Sequence, residues 1–163
     1  MNRSLDKKTP GLIAVLDNIR SLHNVGSIFR TADGAGFDVL ILCGITGQPP
    51  RNEIRKAALG AEEFVPWKYE KNILDAISGL RDDGYLIVAL EKTESSVLLQ
   101  RIQLRRPLAL ILGNEYYGLS QNVLAAVDVV AHIPMHGQKI SLNVGVAFGV
   151  AAYSIQEQLS QSG

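Results

Sequence analysis

Three polar segments of the chain carry the side chains that could do chemistry: residues 18–30, 112–120 and 133–143. Each segment places asparagine, serine, glutamate or arginine beside glycine. Hydrogen-bonding and charged groups therefore stand next to backbone that a ligand can approach closely. Turn formation and helix capping would explain any one of these segments taken alone. All three, however, follow an apolar run and precede a helical pattern, which favours one shared site.

The apolar runs and helical patterns around these segments predict an α/β fold. We predict strands at residues 11–16, 37–43, 63–67, 85–90, 108–112 and 129–133, and helices at residues 27–35, 53–59, 72–80, 120–127 and 143–158, with 97–102 unassigned. Almost continuously apolar strands that alternate with helices indicate a mostly parallel sheet with helices on both faces. Ligands of such sheets bind outside the carboxyl ends of the strands, where the three polar segments begin.

Composition and charge exclude some classes of function. The 163 residues are 47% hydrophobic, which is enough for the core of a single domain. The formal net charge is zero, which excludes a histone-like nucleic-acid binder but not a single local basic face. Residues 1–60 hold eight basic residues against five acidic ones, and residues 61–163 hold eight against eleven, so the first part of the chain is the more basic.

Missing motifs narrow the chemistry further. The chain has no glycine-rich dinucleotide or phosphate loop and no cluster of histidines and cysteines, so we expect no structural zinc. The single cysteine, Cys43, excludes an intrachain disulfide, fits a reducing cytosol and is expected to be a buried small side chain rather than a nucleophile. No apolar stretch approaches the length of a membrane span and the N-terminus resembles no signal peptide, so we predict a cytoplasmic protein.

The three polar segments resemble the signature motifs of a known family. The first contains N-x-R followed by N-x-G-x-x-x-R, the second is ILGNEYYGLS at residues 111–120, and the third is IPMHGQKISLNV at residues 133–144. Their order and separation resemble those of the SpoU/TrmH family of RNA 2′-O-ribose methyltransferases, in the SPOUT class. The resemblance extends over residues 11–155, and the three motifs together are far more specific than any one of them.

This resemblance implies an activity, a cofactor and an assembly. It implies an enzyme that uses S-adenosyl-L-methionine to methylate a ribose 2′-hydroxyl of tRNA or rRNA, as a homodimer whose subunits share the substrate site. It also implies a deep trefoil knot near the C-terminus, a feature so rare that pattern reasoning would never propose it. Residues 11–163 would form the SPOUT methyltransferase domain, residues 1–10 a basic N-terminal extension, and the small-residue helix at 143–158 part of the dimer contact.

The resemblance also carries residue roles over to this sequence. The catalytic candidates are Asn24, Arg30, Glu115, Ser141 and Asn143. The cofactor pocket is expected to be mostly main chain and apolar, lined by Leu90, Glu91, Leu112, Gly113, Ile133, Met135, Ser141 and Leu142. The RNA-binding candidates are Arg20, Arg30, Arg51, Arg55, Lys56 and Tyr116. Ile133 and Leu142 would lie on either side of the adenine, with ordinary core packing as the alternative.

Two of these residues keep more than one interpretation. Arg30 is the leading catalytic candidate. Because arginine stays protonated, we favour a role in stabilising alkoxide charge and clamping a phosphate over a role as transient proton acceptor. A surface ion pair with Asp33 is the structural alternative for Arg30. Glu115 could act on substrate or hold the first polar segment in place.

The pair Tyr116-Tyr117 departs from the family pattern, in which a small residue commonly follows the Asn-Glu dipeptide. These tyrosines could stack on a base of single-stranded RNA or fill space beside the knot. Two functional alternatives also stay open: an RNA-binding or cofactor-sensing module without turnover, and a methyltransferase that acts on another acceptor.

Overall fold

The computed structural model describes residues 11–163, so the extension predicted at residues 1–10 lies outside the described residues. Strands and helices alternate along the described chain. In order they are β1 (Leu12–Asp17), α1 (Leu22–Ala35), β2 (Val39–Cys43), α2 (Asn52–Ala58), β3 (Trp67–Glu70), α3 (Ile73–Asp82), β4 (Leu86–Leu90), β5 (Val97–Leu98), β6 (Leu108–Leu112), α4 (Gln121–Ala126), β7 (Val129–His132) and α5 (Val144–Gln161). Short 3-10 helices occupy Ala61–Glu63 and Leu99–Arg101.

The strands form one parallel sheet in the order β3-β2-β1-β6-β4-β7-β5. Alternate residues of β1 face opposite sides of this sheet. Leu12 and Leu16 pack in a core with side chains of α1, α2 and α5, whereas Ile13 and Val15 pack with α3 and α4. The predicted α/β architecture, with a parallel sheet and helices on both faces, is confirmed.

The three polar segments meet at one edge of the sheet. The first follows β1, the second follows β6 and the third follows β7, and in each case the segment leads into a helix. β1 and β6 are direct neighbours, with Leu16 paired to Leu112, and β4 joins β6 to β7. The carboxyl ends of these strands therefore bring together segments that are far apart in sequence.

The structure corrects the predicted start of the first helix. α1 begins at Leu22 rather than at residue 27, because the Ser21 hydroxyl accepts a hydrogen bond from the Asn24 amide and caps the helix. Asn24 consequently lies in the first turn of α1 and not in a loop. The last helix extends slightly further than predicted, to Gln161.

The strand predicted at residues 63–67 is wrong. That stretch holds the end of a 3-10 helix, and β3 starts only at Trp67. Pro66 has no amide hydrogen to donate to a sheet ladder, so the pairing with β2 begins after it, with the Pro66 carbonyl accepting from the Leu40 amide. The unassigned stretch 97–102 holds both β5 and a 3-10 helix.

Cys43 is fully buried at the end of β2, as predicted. Burial, followed by the negative charges of Asp17 and Glu70, raises the pKa of its thiol to about 12. Because the thiolate is the reactive form, we expect iodoacetamide at about pH 8 to leave Cys43 unmodified in the native protein and to alkylate it in guanidinium chloride. Intact mass spectrometry checks this, and rapid labelling of the native protein would contradict the burial of this thiol.

Candidate functional site

A cavity of about 360 Å³ opens at the carboxyl ends of β4, β6 and β7. This volume lies in the range of small-molecule sites. All eight residues predicted to contact a cofactor line it: Leu90, Glu91, Leu112, Gly113, Ile133, Met135, Ser141 and Leu142. Three catalytic candidates line the same cavity: Glu115, Asn143 and Ser141, which is also one of the eight cofactor candidates. Sequence reasoning missed several further lining residues: Lys92, Asn114, Gly118, His132, Ile140, Val144 and Ala147.

The wall of this cavity depends on the absence of a side chain at Gly113. A Cβ atom added there would lie 2.6 Å from the carbonyl carbon of Gly118 and 2.8 Å from its oxygen. These are backbone atoms, so the loop that follows β6 would have to shift. At Gly137, by contrast, an added Cβ would meet no heavy atom within 4 Å, so the third segment tolerates a side chain at that position.

Glu115 fastens the second polar segment to the first. Its carboxylate accepts hydrogen bonds from the Arg20 amide at 3.1 and 2.9 Å, from the Ser21 amide at 3.0 Å and from the Asn24 side-chain amide at 3.2 Å. Partial burial raises the pKa of Glu115, but these hydrogen bonds outweigh burial and hold the pKa below its ordinary value. Glu115 therefore positions the start of α1, one of the two roles that the sequence left open.

Asn24 joins all three segments. It is buried, donates to Glu115 and accepts through Oδ1 from the Asn143 side-chain amide at 3.2 Å. Asn143 in turn caps α5, because its Oδ1 accepts from the Gly145 and Val146 amides. The chain Glu115–Asn24–Asn143 thus couples the mouth of the cavity to the first turns of α1 and α5.

Side-chain hydrogen bonds hold the loop that follows β6 in place. Asn114 Oδ1 accepts from the Tyr116 and Tyr117 amides at 2.9 Å, and its amide group donates to the Asn18 carbonyl at 2.8 Å. Asparagine side chains commonly form turns by accepting hydrogen bonds from backbone amides two or three residues later in the chain. This turn signal could have identified Asn114 from the sequence. The half-buried Glu91 carboxylate accepts from the Leu119 amide at 3.0 Å. Burial raises the pKa of Glu91, and this hydrogen bond opposes the rise.

Arg30 does not reach the cavity of its own chain. It is exposed on α1 and lies in a separate surface groove with Lys56, Leu59 and Tyr153. The predicted alternative, an ion pair with Asp33, is wrong, because the single ion pair found within residues 11–163 joins Arg81 to Asp128. Within one chain, Glu115, Ser141 and Asn143 line the cavity, Asn24 hydrogen-bonds to two of them, and Arg30 lies apart.

The other RNA-binding candidates are dispersed. Arg20 is exposed beside a second groove that Tyr116 also lines, whereas Arg51 is exposed at the N-cap of α2 and Arg55 is exposed in its last turn. Tyr116 and Tyr117 are 86% and 91% exposed, which excludes the alternative that they fill internal space.

Neither a metal-binding cluster nor a membrane-spanning helix is found in the described residues. Among residues 11–163, the histidine, cysteine, aspartate and glutamate side chains form no group of three that could hold a metal ion. No helix in that range is both long enough and apolar enough to span a bilayer.

Comparisons with known proteins agree with this geometry. The chain is 34% identical over 152 residues to the 23S rRNA (guanosine-2′-O-)-methyltransferase RlmB of Coxiella burnetii, covering 93% of this chain and 60% of that protein. It is 31% identical over 159 residues to the tRNA (guanosine(18)-2′-O)-methyltransferase of Escherichia coli K12, covering 98% and 69%. Its structure matches the AdoMet-bound rRNA methyltransferase of Sinorhizobium meliloti with a TM-score of 0.87 and 31% identity, covering 93% and 58%.

The chain spans about three fifths of the length of the first and third of these proteins. Residues 11–153 match the model of the SpoU rRNA Methylase family, a range that contains all three polar segments. The sequence motifs, the sheet that gathers them and this match lead to one conclusion: the chain belongs to the SpoU rRNA methylase family.

Proposed function

We propose that this protein transfers a methyl group from S-adenosyl-L-methionine to a ribose 2′-hydroxyl of tRNA or rRNA. The observation that carries the proposal is the cavity at the carboxyl ends of β4, β6 and β7, which the Glu115–Asn24–Asn143 network ties to all three motifs. The names of the relatives support it, since they describe 2′-O-methyltransferases of rRNA and tRNA and an AdoMet-bound structure. A cytoplasmic location fits this activity and is part of the proposal.

The residues of the cavity suit this cofactor. Leu112, Ile133 and Leu142 supply apolar surface for a flat base, and Gly113 lines the cavity with main chain that carries no side chain. When bound, the cofactor supplies a methyl group on a sulfonium centre, which is already a strong methyl donor. The protein's own contribution is therefore mainly to hold the 2′-oxygen of the acceptor ribose in line with this methyl group and to keep other acceptor atoms away from it.

Arg30 is proposed to bind the RNA backbone and to stabilise negative charge on the 2′-oxygen. A guanidinium is effectively always protonated and offers a planar fork of donors to phosphate, which suits charge stabilisation better than proton abstraction. Ser141 and Asn143, at the mouth of the cavity, offer hydroxyl and amide groups to the ribose. In this role Arg30 must reach a cofactor cavity, but it does not reach the cavity of its own chain.

A homodimer would provide that arrangement. Val146, Val150 and Tyr153 are 54%, 46% and 56% exposed and form one apolar stripe of α5 at helical spacing. The stripe begins beside the cavity, which Val144 and Ala147 line, and ends at Tyr153 in the groove of Arg30. A second copy packed on this stripe would bring each Arg30 towards the other subunit's cavity, and the two sites would be shared.

Gly113 offers a direct test of the cofactor site. We expect the Gly113→Val variant to bind S-adenosylhomocysteine at least tenfold more weakly than the unchanged protein, because the new side chain displaces the backbone of Gly118. Titration calorimetry measures this affinity, with Gly137→Val as the matched control because position 137 is open. Equal affinities for the two variants would place the cofactor elsewhere, and no binding by the unchanged protein would overturn the proposed function.

A further inference from the structure

An exposed apolar side chain lies in the surface groove that contains Arg30. This groove, of about 650 Å³, is lined by residues of α1, α2 and α5, and we call it the Arg30 groove. Leu59 follows α2, lines the groove and is 67% exposed. Its backbone is left-handed, with a φ of 51°, a conformation that suits glycine or asparagine better than leucine. An exposed leucine in a strained conformation stabilises its own chain little and would gain most from contact with another molecule.

A second exposed apolar side chain lies at the candidate cofactor cavity. Ile140, in the third polar segment, lines this cavity and is 80% exposed. Single exposed hydrophobic residues are ordinary on protein surfaces. Leu59 and Ile140 differ from such residues because each lies in one of the two openings that a shared site has to bring together.

The two openings also differ in charge. The described residues that line the Arg30 groove include Arg30 and Lys56 and no carboxylate. The cavity is lined by the carboxylates Glu91 and Glu115 and by a single lysine, Lys92. Opposite charges on facing surfaces attract two proteins and orient them relative to each other. Charge therefore favours the pairing of a groove with a cavity over the pairing of two grooves or two cavities.

Helix α5 provides the geometry for this pairing. Val144 of α5 lines the cavity, and Tyr153 lines the Arg30 groove about 14 Å further along the same helix. A twofold axis that crosses the exposed stripe of α5 at right angles reverses the direction of the partner's helix. Each cavity then lies opposite the partner's Arg30 groove, one pair at each end of the stripe.

We propose that, in a homodimer, Leu59 of each subunit packs against Ile140 of the other subunit. This contact places a side chain of the partner at the edge of the cavity and fixes the register at which Arg30 reaches the shared site. Leu59 is thus a positioning residue, because it acts on the reaction through the placement of Arg30. The inference rests on the proposed function and deepens it, since it names the contact that assembles the site from two subunits.

Cysteine cross-linking tests this contact in the full chain. Leu59→Cys and Ile140→Cys are co-expressed as differently tagged chains and treated with a short bismaleimide. Native Cys43 is fully buried, so the introduced thiols are the ones that react. We expect a covalent dimer from the co-expressed chains, with peptide mass spectrometry locating the link between positions 59 and 140, and little from either variant alone. Phe64→Cys is the matched control for Leu59→Cys, since Phe64 is 76% exposed but lies outside the Arg30 groove, and it should not link to position 140.

Leu59→Gly tests the role of the contact in the reaction. Glycine adopts the left-handed backbone of this position without strain, so the variant should fold normally. We expect its methylation rate to be about tenfold lower or more, because a small misplacement of a catalytic group is costly. Its affinity for S-adenosylhomocysteine should not change, since the cavity of each chain is intact. Leu59→Met, which keeps an apolar side chain, and Phe64→Ala should both keep the rate.

A dimer that forms no link between positions 59 and 140, or that links position 64 as readily, would overturn this contact and leave the proposed function standing. A Leu59→Gly variant with the normal rate would do the same. A monomeric unchanged protein that methylates RNA would overturn both the contact and the shared site. Absence of methylation by the unchanged protein would instead count against the proposed function, while the cross-link would still decide the contact.

Discussion

Replacing Arg30 by alanine is expected to lower the rate of RNA methylation by about a hundredfold or more and to leave the affinity for S-adenosylhomocysteine unchanged. The reason is that Arg30 is exposed on α1, away from the cavity of its own chain, so its loss removes charge stabilisation without disturbing the cofactor wall. Single-turnover kinetics and calorimetry measure the two quantities separately.

Arg30→Lys is the informative companion variant. Lysine keeps the positive charge but lacks the planar fork that binds phosphate and a nascent oxyanion together, so most of the rate loss should persist. Near-normal turnover of Arg30→Lys would contradict both roles considered for the guanidinium, charge stabiliser and transient proton acceptor.

Mixing two inactive variants tests whether Arg30 acts across a dimer. In a mixed dimer, one of the two sites combines the intact cavity of the Arg30→Ala subunit with the intact Arg30 of the Gly113→Val subunit. Random exchange makes half of the dimers mixed, so the mixture should recover roughly a quarter of the unchanged activity. If Arg30 served its own chain's cavity, every site in the mixture would be defective and no activity would return.

The second large effect is expected for Glu115→Gln. One amide oxygen replaces a carboxylate that accepts from the Arg20 and Ser21 amides and from Asn24, and its amide hydrogens would face those donors. Hydrogen bonds to charged groups contribute about 1.5–3 kcal/mol, and solvent reduces this here because Glu115 is exposed. We expect a loss of about 1–2 kcal/mol in unfolding free energy and methylation below one tenth of normal, because Asn24 loses its anchor.

The pH dependence of this loss follows from the lowered pKa of Glu115. A carboxyl group whose pKa is lower in the folded protein stabilises the fold above its ordinary pKa, and this stabilisation disappears as pH falls through the folded-state value. Urea unfolding should therefore show a stability gap between the unchanged protein and Glu115→Gln at neutral pH that narrows in acid. Glu94→Gln is the control, at an exposed position; a gap independent of pH would contradict the assigned hydrogen bonds.

Much of the fold could be predicted because local pattern and global architecture agree. Apolar runs such as Leu108–Leu112 form strands, and the helices predicted at residues 72–80 and 120–127 form with Asn72 and Ser120 as their N-caps. The order of the strands could not be predicted, since β6 lies between β1 and β4 only through long crossovers. The parallel sheet and the polar edge followed from the pattern, whereas the trefoil knot is implied only by the family resemblance and stays a prediction.

The residues of the candidate site could be predicted from the sequence, but the hydrogen bonds between them could not. The motifs supplied the residues of the cavity, yet the hydrogen bond from Asn24 to Glu115 joins positions 91 residues apart, which no local pattern encodes. Arg30 shares a motif with Asn24 but lies six residues along a helix, about one and two-thirds turns, so the two side chains point to different sides.

The most direct test of the proposed activity is the position of the methyl group on RNA. The unchanged protein is incubated with methyl-deuterated S-adenosylmethionine and RNA from cells that lack the gene, and the digested nucleosides are separated by mass spectrometry. Methylation of the ribose 2′-oxygen predicts that the label resides on the sugar fragment, that it resists alkaline cleavage at its 3′ phosphate, and that it vanishes with Arg30→Ala. Label on a base or on a non-RNA acceptor, or no transfer by a protein that binds S-adenosylhomocysteine, would contradict it.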